Sequence, residues 1–292
     1  MRYAISHTTV YTYQTEVSAS HHVARLSPRQ APGQYCVEHS LFIDPHPTHC
    51  ETRRDYFGND AVFFNLEHPY RELTVIARSL IDVDERQVEL GLSSYCWEQV
   101  RDQLPYSASG SDWAAAYEFS LGSPLIPLLP AAAHYALPSF TPGRPLLDAC
   151  TELMGRIFKD FKFDPSATTI ATTIEEVLEK RRGVCQDFAQ VQIACLRALG
   201  LPARYVSGYI ETLPPPGKIK LVGADASHAW LSVYCPPLGW IDFDPTNNTS
   251  PHGQHITVAW GRDFSDISPL RGVFLGSGAH ELKVAVDVNS IR

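Results

Sequence analysis

The residues that could do chemistry are a cysteine, a histidine and an aspartate in the second half of the chain. Cys185 lies in the segment Gly183 to Ala189, where the pattern predicts the start of a helix. Unpaired backbone N–H groups and the helix dipole at such a position favour an anion, here a thiolate. A free thiol titrates at roughly 8.5, and a helix N-terminus or a neighbouring imidazolium lowers this pKa to roughly 3.5 to 7.5. Cys185 is therefore a candidate nucleophile, and the same N–H groups could bind a developing oxyanion.

A nucleophilic cysteine needs a base and a residue that orients the base, and a predicted hairpin offers both. Alternation predicts strands from His228 to Cys235 and from Trp240 to Asp244, joined by a turn rich in Pro and Gly. A turn centred at residue 236 puts His228 directly opposite Asp244, where paired Cβ atoms are about 4.5 to 5.5 Å apart. Asp242 lies on the same face and competes for this role, but only Asp244 is opposite His228 in this register.

Three helices are predicted around these strands. Apolar residues recur at helical spacing from Leu146 to Phe161, and a second helix begins near Thr172, which has capping-box spacing to Glu175. The third helix runs from Cys185 to Leu199, with one apolar face. Gly200 and Pro202 end it. These helices and the hairpin have to bring the candidate residues together.

The first ninety residues are predicted to form an antiparallel β-sandwich. Runs rich in Val, Ile, Thr, Tyr and Phe alternate there with turn residues, as in Tyr3 to Tyr13, Tyr35 to Asp44, Ala61 to Leu66 and Leu73 to Val83. Six prolines between residues 121 and 145 predict a linker without a regular helix. We therefore predict an α+β protein, with a β-rich domain over 1–140 ending in this linker and a catalytic core over 141–292.

Composition excludes several functional classes. A net charge of -8 without a Lys and Arg cluster argues against nucleic-acid binding. The seven cysteines are scattered and form no CxxC pair, which argues against a disulfide framework or a typical zinc motif. The first residues lack the apolar run of a signal peptide, and the most apolar stretch is interrupted by prolines, so we predict a cytoplasmic protein that does not bind membranes.

Four blocks of the sequence resemble the bacterial transglutaminase-like family, and the β-rich front resembles the N-terminal domain that often precedes its core. The blocks are Arg182 to Ala189, Leu199 to Tyr209, Ser227 to Trp230, and Asp244 to Thr246. The resemblance implies a papain-like core in which Cys185 is the nucleophile, His228 the general base and acid, and Asp244 the residue that orients the histidine. It further implies hydrolysis or acyl transfer at a peptide or glutamine side-chain amide, with water or an amine as acceptor.

This sequence differs from animal transglutaminases at one functional position. Animal transglutaminases hold the oxyanion with a tryptophan upstream of the nucleophile, whereas this chain has no Trp between Trp113 and Trp230, so the second oxyanion donor stays unassigned. No acidic loop of EF-hand type is present, and we predict no metal and no cofactor. The predicted partner is a peptide or protein substrate, and the sequence leaves the oligomeric state open.

Two other functions are compatible with the same residues. A transglutaminase-like fold can keep a groove without chemistry, which would make the chain a non-catalytic peptide-binding module. Cys185, His228 and Asp244 are also competent zinc ligands. We favour the enzyme because all three side chains are present in matching blocks, and we interpret the other six cysteines as inert small apolar residues.

Overall fold

The computed structural model of the protein describes residues 1–84, 94–104, 111–169, 171–212, 227–251 and 253–291. Its strands are β1 (Arg2–Val17), β2 (Ala19–Ala24), β3 (Gln34–Asp44), β4 (His49–Arg54), β5 (Asp60–Leu66), β6 (Tyr70–Val83), β7 (Lys162–Phe163), β8 (Arg182–Gly183), β9 (Ala203–Ile210), β10 (Ser227–Tyr234), β11 (Trp240–Phe243), β12 (His255–Gly261), β13 (Leu270–Leu275) and β14 (His280–Ile291). Its helices are α1 (Trp97–Gln103), α2 (Ser111–Tyr117), α3 (Pro130–Ala136), α4 (Leu146–Asp160), α5 (Ile174–Lys180), α6 (Cys185–Ala198) and α7 (Phe264–Ile267).

The six strands at the front of the chain lie in two four-stranded antiparallel sheets, in the orders β14-β1-β6-β3 and β13-β2-β5-β4. Every second residue of β1 is buried over its first half, as expected for a strand with one face against a core. A cluster including Tyr13, Phe64 and Leu73 fills the space between the sheets. The predicted strands are present, β2 and β4 were not predicted, and positions 85–90 of the predicted β segment lie outside the described residues.

The end of the chain returns to these first sheets. β14 pairs with β1 from Arg2↔Ile291 to Tyr13↔His280, and β13 pairs with β2. The prediction that placed all of 141–292 in the core therefore does not match the sheet pairings, because residues 270–291 share sheets with the N-terminal strands. Strand partners far apart in the sequence leave no local pattern. The predicted boundary near residue 140 stays a prediction.

A second layer holds the candidate site residues. Its antiparallel sheet has the order β11-β10-β9-β12, and α6 packs against β10 and β9. α6 is buried nearly all round, so the single apolar face predicted for it was incomplete; even the polar Gln192 and Arg197 are buried there. The apolar stripe of α4, including Leu147, Leu153 and Ile157, packs into the same core.

Two local predictions were wrong in detail. The proline-rich segment 121–145 contains the short helix α3, which begins at Pro130, a first-turn position where the missing N–H costs no hydrogen bond. The cap of α5 is Thr173 rather than Thr172, and its side chain accepts a hydrogen bond from the backbone N–H of Glu176. Within the described ranges, no helix combines the length and the apolar character that crossing a membrane requires.

Candidate active site

Cys185 is the first residue of α6, as predicted, and its side chain is partly buried. The turn before it is held by Asp187, whose Oδ2 accepts hydrogen bonds from the Val184 N–H at 2.8 Å and from the Thr168 hydroxyl at 2.7 Å. Gly183 has no room for a side chain, because a Cβ atom there would overlap the Asp187 carboxylate. The sequence from Gly183 to Asp187 thus fixes the direction in which α6 presents the thiol.

His228 lies near the start of β10 and is 8% exposed. The observed ladder pairs Leu231 with Phe243 and Tyr234 with Trp240, so the hairpin register differs by two residues from the predicted one, and the ladder ends before Asp244. A shift of two residues keeps the same faces together, since side chains alternate with a period of two. His228 and Asp244 therefore meet diagonally, beyond the end of the ladder, with Nε2 of the histidine 2.7 Å from Oδ2 of the aspartate.

The structure separates the roles of the two competing aspartates. Asp242 accepts a hydrogen bond from the Nε1–H of Trp230 at 3.1 Å. Asp244 instead contacts His228 and is fully buried. Gly208 on the neighbouring strand leaves space for the Trp230 ring, since a Cβ at Gly208 would lie 2.5 Å from it. The tryptophan and the histidine are thus held side by side on one face of the sheet.

The Asp244 carboxylate is surrounded by donors. Its Oδ1 accepts hydrogen bonds from the backbone N–H groups of Thr246 at 2.9 Å and Asn247 at 3.2 Å. Its Oδ2 lies 2.7 Å from Nδ2 of Asn247 and 3.0 Å from Nε2 of His255, in addition to His228. Burial by itself raises the pKa of Asp244, but the hydrogen bonds from the two histidines and Asn247 together bring this pKa well below its ordinary value.

The imidazole of His228 connects the carboxylate to the thiol. Nε2 of the ring lies 2.7 Å from Oδ2 of Asp244, and Cys185, at the first position of α6, interacts electrostatically with the ring. Because Nε2 faces Asp244, Nδ1 is the ring nitrogen left for the sulfur. Burial lowers the pKa of His228, but the interactions with Asp244 and Cys185 outweigh it and raise this pKa to about 10. The site therefore favours an imidazolium at His228.

His255 is a site residue that sequence reasoning missed. It begins β12, is buried, and packs edge-to-face on Trp230 with ring centroids 5.2 Å apart. Its strand was predicted, but only the pairing of β12 with β9 brings it to Asp244, and no local pattern reveals that pairing. A histidine at the start of a mostly apolar strand was the available signal in the sequence.

The same residues form a possible metal-binding group. One ligand atom from each of His228, Asp244 and His255 lies within 4.8 Å of the others. This set contains His255 in place of Cys185, so it differs from the zinc site considered from the sequence. Hydrogen bonds already account for the spacing, because each histidine Nε2 lies at hydrogen-bonding distance from the carboxylate.

Comparison with known proteins identifies the family. Residues 3–82 match the bacterial transglutaminase-like N-terminal region, and residues 137–245 match the transglutaminase-like superfamily. An uncharacterized protein of Mycobacterium tuberculosis is 42% identical over 295 residues, which cover 98% of this chain and 92% of that protein. The chain belongs to the transglutaminase-like superfamily. The family predicted from the four sequence blocks is therefore confirmed.

Two further similarities concern parts of the protein or its fold. A protein-glutamine gamma-glutamyltransferase of Pseudomonas aeruginosa is 34% identical over 134 residues, which are 41% of this chain and 20% of that protein. The crystal structure of a putative cysteine protease from Cytophaga hutchinsonii has a TM-score of 0.78 and 20% identity, covering 100% of this chain and 91% of that one. This similarity confirms the predicted fold class, a transglutaminase-like α+β core preceded by a β-rich region.

Proposed function

We propose that this transglutaminase-like protein is a thiol enzyme that cleaves or transfers the acyl group of a peptide or glutamine side-chain amide. One observation carries the proposal: Nε2 of His228 lies 2.7 Å from the Asp244 carboxylate, and the same ring interacts electrostatically with Cys185 at the N-terminus of a helix. A nucleophile, a base and an orienting group in this order make up the arrangement required for covalent catalysis.

The proposed reaction has two steps. The Cys185 thiolate attacks the amide carbonyl, an Sγ–C bond forms, and the negative charge moves to the carbonyl oxygen near the first-turn N–H groups of α6. The C–N bond then breaks, and the His228 imidazolium gives its proton to the leaving nitrogen. In the second step water or an amine attacks the acyl carbon and passes a proton to His228. The Sγ–C bond then breaks, which releases the acyl product and restores the Cys185 thiolate beside the imidazolium. Asp244 keeps the imidazole oriented throughout.

The names of two similar proteins support acyl chemistry as a class, without specifying the substrate of this protein. The name of the Pseudomonas aeruginosa relative describes transfer of a glutamine acyl group, and that of the Cytophaga hutchinsonii structure describes peptide cleavage. Both reactions proceed through the same kind of acyl-enzyme. Whether water or an amine accepts the acyl group is therefore a question for experiment. A peptide or protein partner and a cytoplasmic location are part of this proposal, and the seven unpaired cysteines agree with a reducing compartment.

The decisive experiment is labelling with dilute iodoacetamide at pH 5.5 to 6, mapped by peptide mass spectrometry. Cys50 is the control because it is more exposed than Cys185. Accessibility alone would therefore make Cys50 the faster of the two to react. We expect Cys185 to react faster than Cys50, and His228→Ala to remove this advantage without changing the labelling of Cys50. A Cys185 that reacts no faster than Cys50 would contradict the proposal and favour a non-catalytic peptide-binding module.

A further inference from the structure

A cavity of about 620 Å³ lies between the N-terminal strands and the back of the core sheet. Its walls come from the loop around Ala31, the end of β6, and strands β9, β11 and β12. The size falls within the range of about 300 to 1,000 Å³ that is typical of small-molecule sites. Much of the wall is apolar, including Pro32, Val206, Leu238 and Trp240.

Arg204 supplies a positive charge to this cavity, whose wall also contains the carboxylates of Asp84 and Asp242. Its guanidinium carbon is 4.2 Å from the ring centroid of Trp240 and 3.8 Å from that of Trp260. The rings cover parts of the guanidinium surface and leave its N–H edge for other partners. In the part of the chain that the structure describes, Nε of Arg204 is buried without a hydrogen-bond partner. Burial lowers the pKa of Arg204 to about 9, against the opposing charge of Asp242, so the group stays a cation at neutral pH.

The surroundings hold this guanidinium in place. Trp260 packs on a second guanidinium, that of Arg29, whose carbon is 3.6 Å from the ring centroid. Arg29 is itself fixed by hydrogen bonds to the backbone oxygen of Phe57 and the side chain of Asn59. The side chains therefore form a stack that joins the N-terminal region to the core, in the order Arg29, Trp260, Arg204, Trp240. A cation held in such a stack needs little reorganisation to bind a ligand.

A second buried arginine shows what a purely structural role looks like in this protein. Arg197 donates hydrogen bonds to the backbone oxygens of Phe119, Ala203 and Arg262 and to the hydroxyl of Ser123. Its donors are thus used within the fold. Among the described residues, Nε of Arg29 and Nε of Arg204 are both buried without a hydrogen-bond partner, and of these two arginines it is Arg204 that lines the cavity. Because unmade hydrogen bonds of buried donors are costly, the difference indicates a missing partner.

We propose that the cavity binds an amphipathic carboxylate, with the carboxylate on the N–H edge of Arg204 and the apolar body between Trp240, Val206 and Leu238. A planar carboxylate fits the guanidinium fork with paired hydrogen bonds, which an ammonium or a neutral amide cannot do. The ligand is either a free carboxylic acid or the C-terminal residue of a peptide, since both present the same group. His255 also lines the cavity, so its occupant lies one side chain from Asp244.

Binding of N-acetylphenylalanine to the full chain tests the proposal, with N-acetylphenylalaninamide as the neutral control. Calorimetry gives the dissociation constant, and tryptophan fluorescence reports on Trp240 and Trp260. We expect saturable binding of the acid, at least tenfold weaker binding of the amide, and at least tenfold weaker binding of the acid to Arg204→Gln. The exposed Arg71 provides the matched control, and Arg71→Gln should bind as the wild type does.

A second variant keeps the test valid if Arg204→Gln fails to fold. Ala31→Phe places a ring in the cavity and leaves the arginine stack in place, so it should also weaken binding at least tenfold. A pentapeptide with a free C-terminal phenylalanine distinguishes the two ligand sources, because it competes with the acid only if the cavity admits a peptide end. Equal binding of acid and amide, unchanged binding in both cavity variants, or no saturable binding of the acid would overturn the proposal.

Discussion

The thiol of Cys185 is the group on which the proposed chemistry rests. Cys185→Ala removes the nucleophile, and we expect turnover of a substrate found by screening to fall about 10³-fold or more. Its partly buried position should keep the fold intact, with little change in the thermal unfolding midpoint. Cys50→Ala is the matched control at an exposed position. Full activity of Cys185→Ala would rule out this cysteine as the nucleophile.

His255 should act as a positioning residue through Asp244. In His255→Phe the Oδ2 of Asp244 loses a donor now at 3.0 Å, so we expect the free energy of unfolding to fall by about 1.5 to 3 kcal/mol. The iodoacetamide labelling rate of Cys185 should fall about tenfold if the lost interaction is worth about 1.4 kcal/mol to the orientation of His228. His255→Gln keeps an N–H donor and should recover part of both losses. A labelling rate that does not change in His255→Phe would leave His255 a purely structural role.

The His228 pKa gives stability a defined dependence on pH. Its folded-state pKa of about 10 exceeds the ordinary value, so the folded protein binds a proton that the unfolded chain releases. The resulting stabilisation is fully present below about pH 6.5 and is lost as pH rises from there towards the folded-state pKa. We therefore expect urea unfolding to show lower stability at pH 9 than at pH 6.5. His228→Gln should flatten this decline, and an equally steep decline in the variant would show that another group causes it.

At the scale of elements, the close approach of β9 and β12 decides where His228 and His255 lie. Gly208 has no room for a Cβ, which would overlap the backbone oxygen of Ile256 and lie 2.5 Å from the Trp230 ring. We expect Gly208→Ala to lower the free energy of unfolding by about 1 to 3 kcal/mol or more. Gly122→Ala is the control, since its nearest atoms are 3.6 Å away, and it should change stability by less than about 1 kcal/mol. Equal stabilities of the two variants would contradict this account of the packing.

At the scale of the whole molecule, the C-terminal strands close the N-terminal sandwich. Removing residues 269–292 deletes β13 and β14, exposes the edge of β1, and takes the buried Val286 and Val288 out of the main core cluster. An exposed long edge strand promotes association, so we expect this truncated protein to aggregate or to lose its cooperative unfolding transition. Removal of residues 290–292 alone should be tolerated. A soluble truncated protein with normal unfolding would show instead that the front domain is independent of the chain end.

Much of the local structure could be predicted from the sequence, because local patterns carry it. The helix start at Cys185, the strand bearing His228, the strand that ends just before Asp244, and the apolar face of α4 all follow from periodicity and from breakers nearby in the chain. The pairing of His228 with Asp244 was also predicted, although by a register that the structure corrects. The two-residue difference preserved the faces, which explains why the residues still meet.

Only the tertiary structure decided the contacts between segments that are far apart in the sequence. His255 reaches Asp244 through the pairing of β12 with β9, the chain end joins β1, and Arg29 stacks with Trp260 across the two layers. Strand order and layer packing depend on the summed burial of many side chains, and no short window of sequence contains that sum. The sequence by itself therefore determined the candidate chemistry and the elements that carry it. The fold decided which further residues surround that chemistry, and it created the cavity beside it.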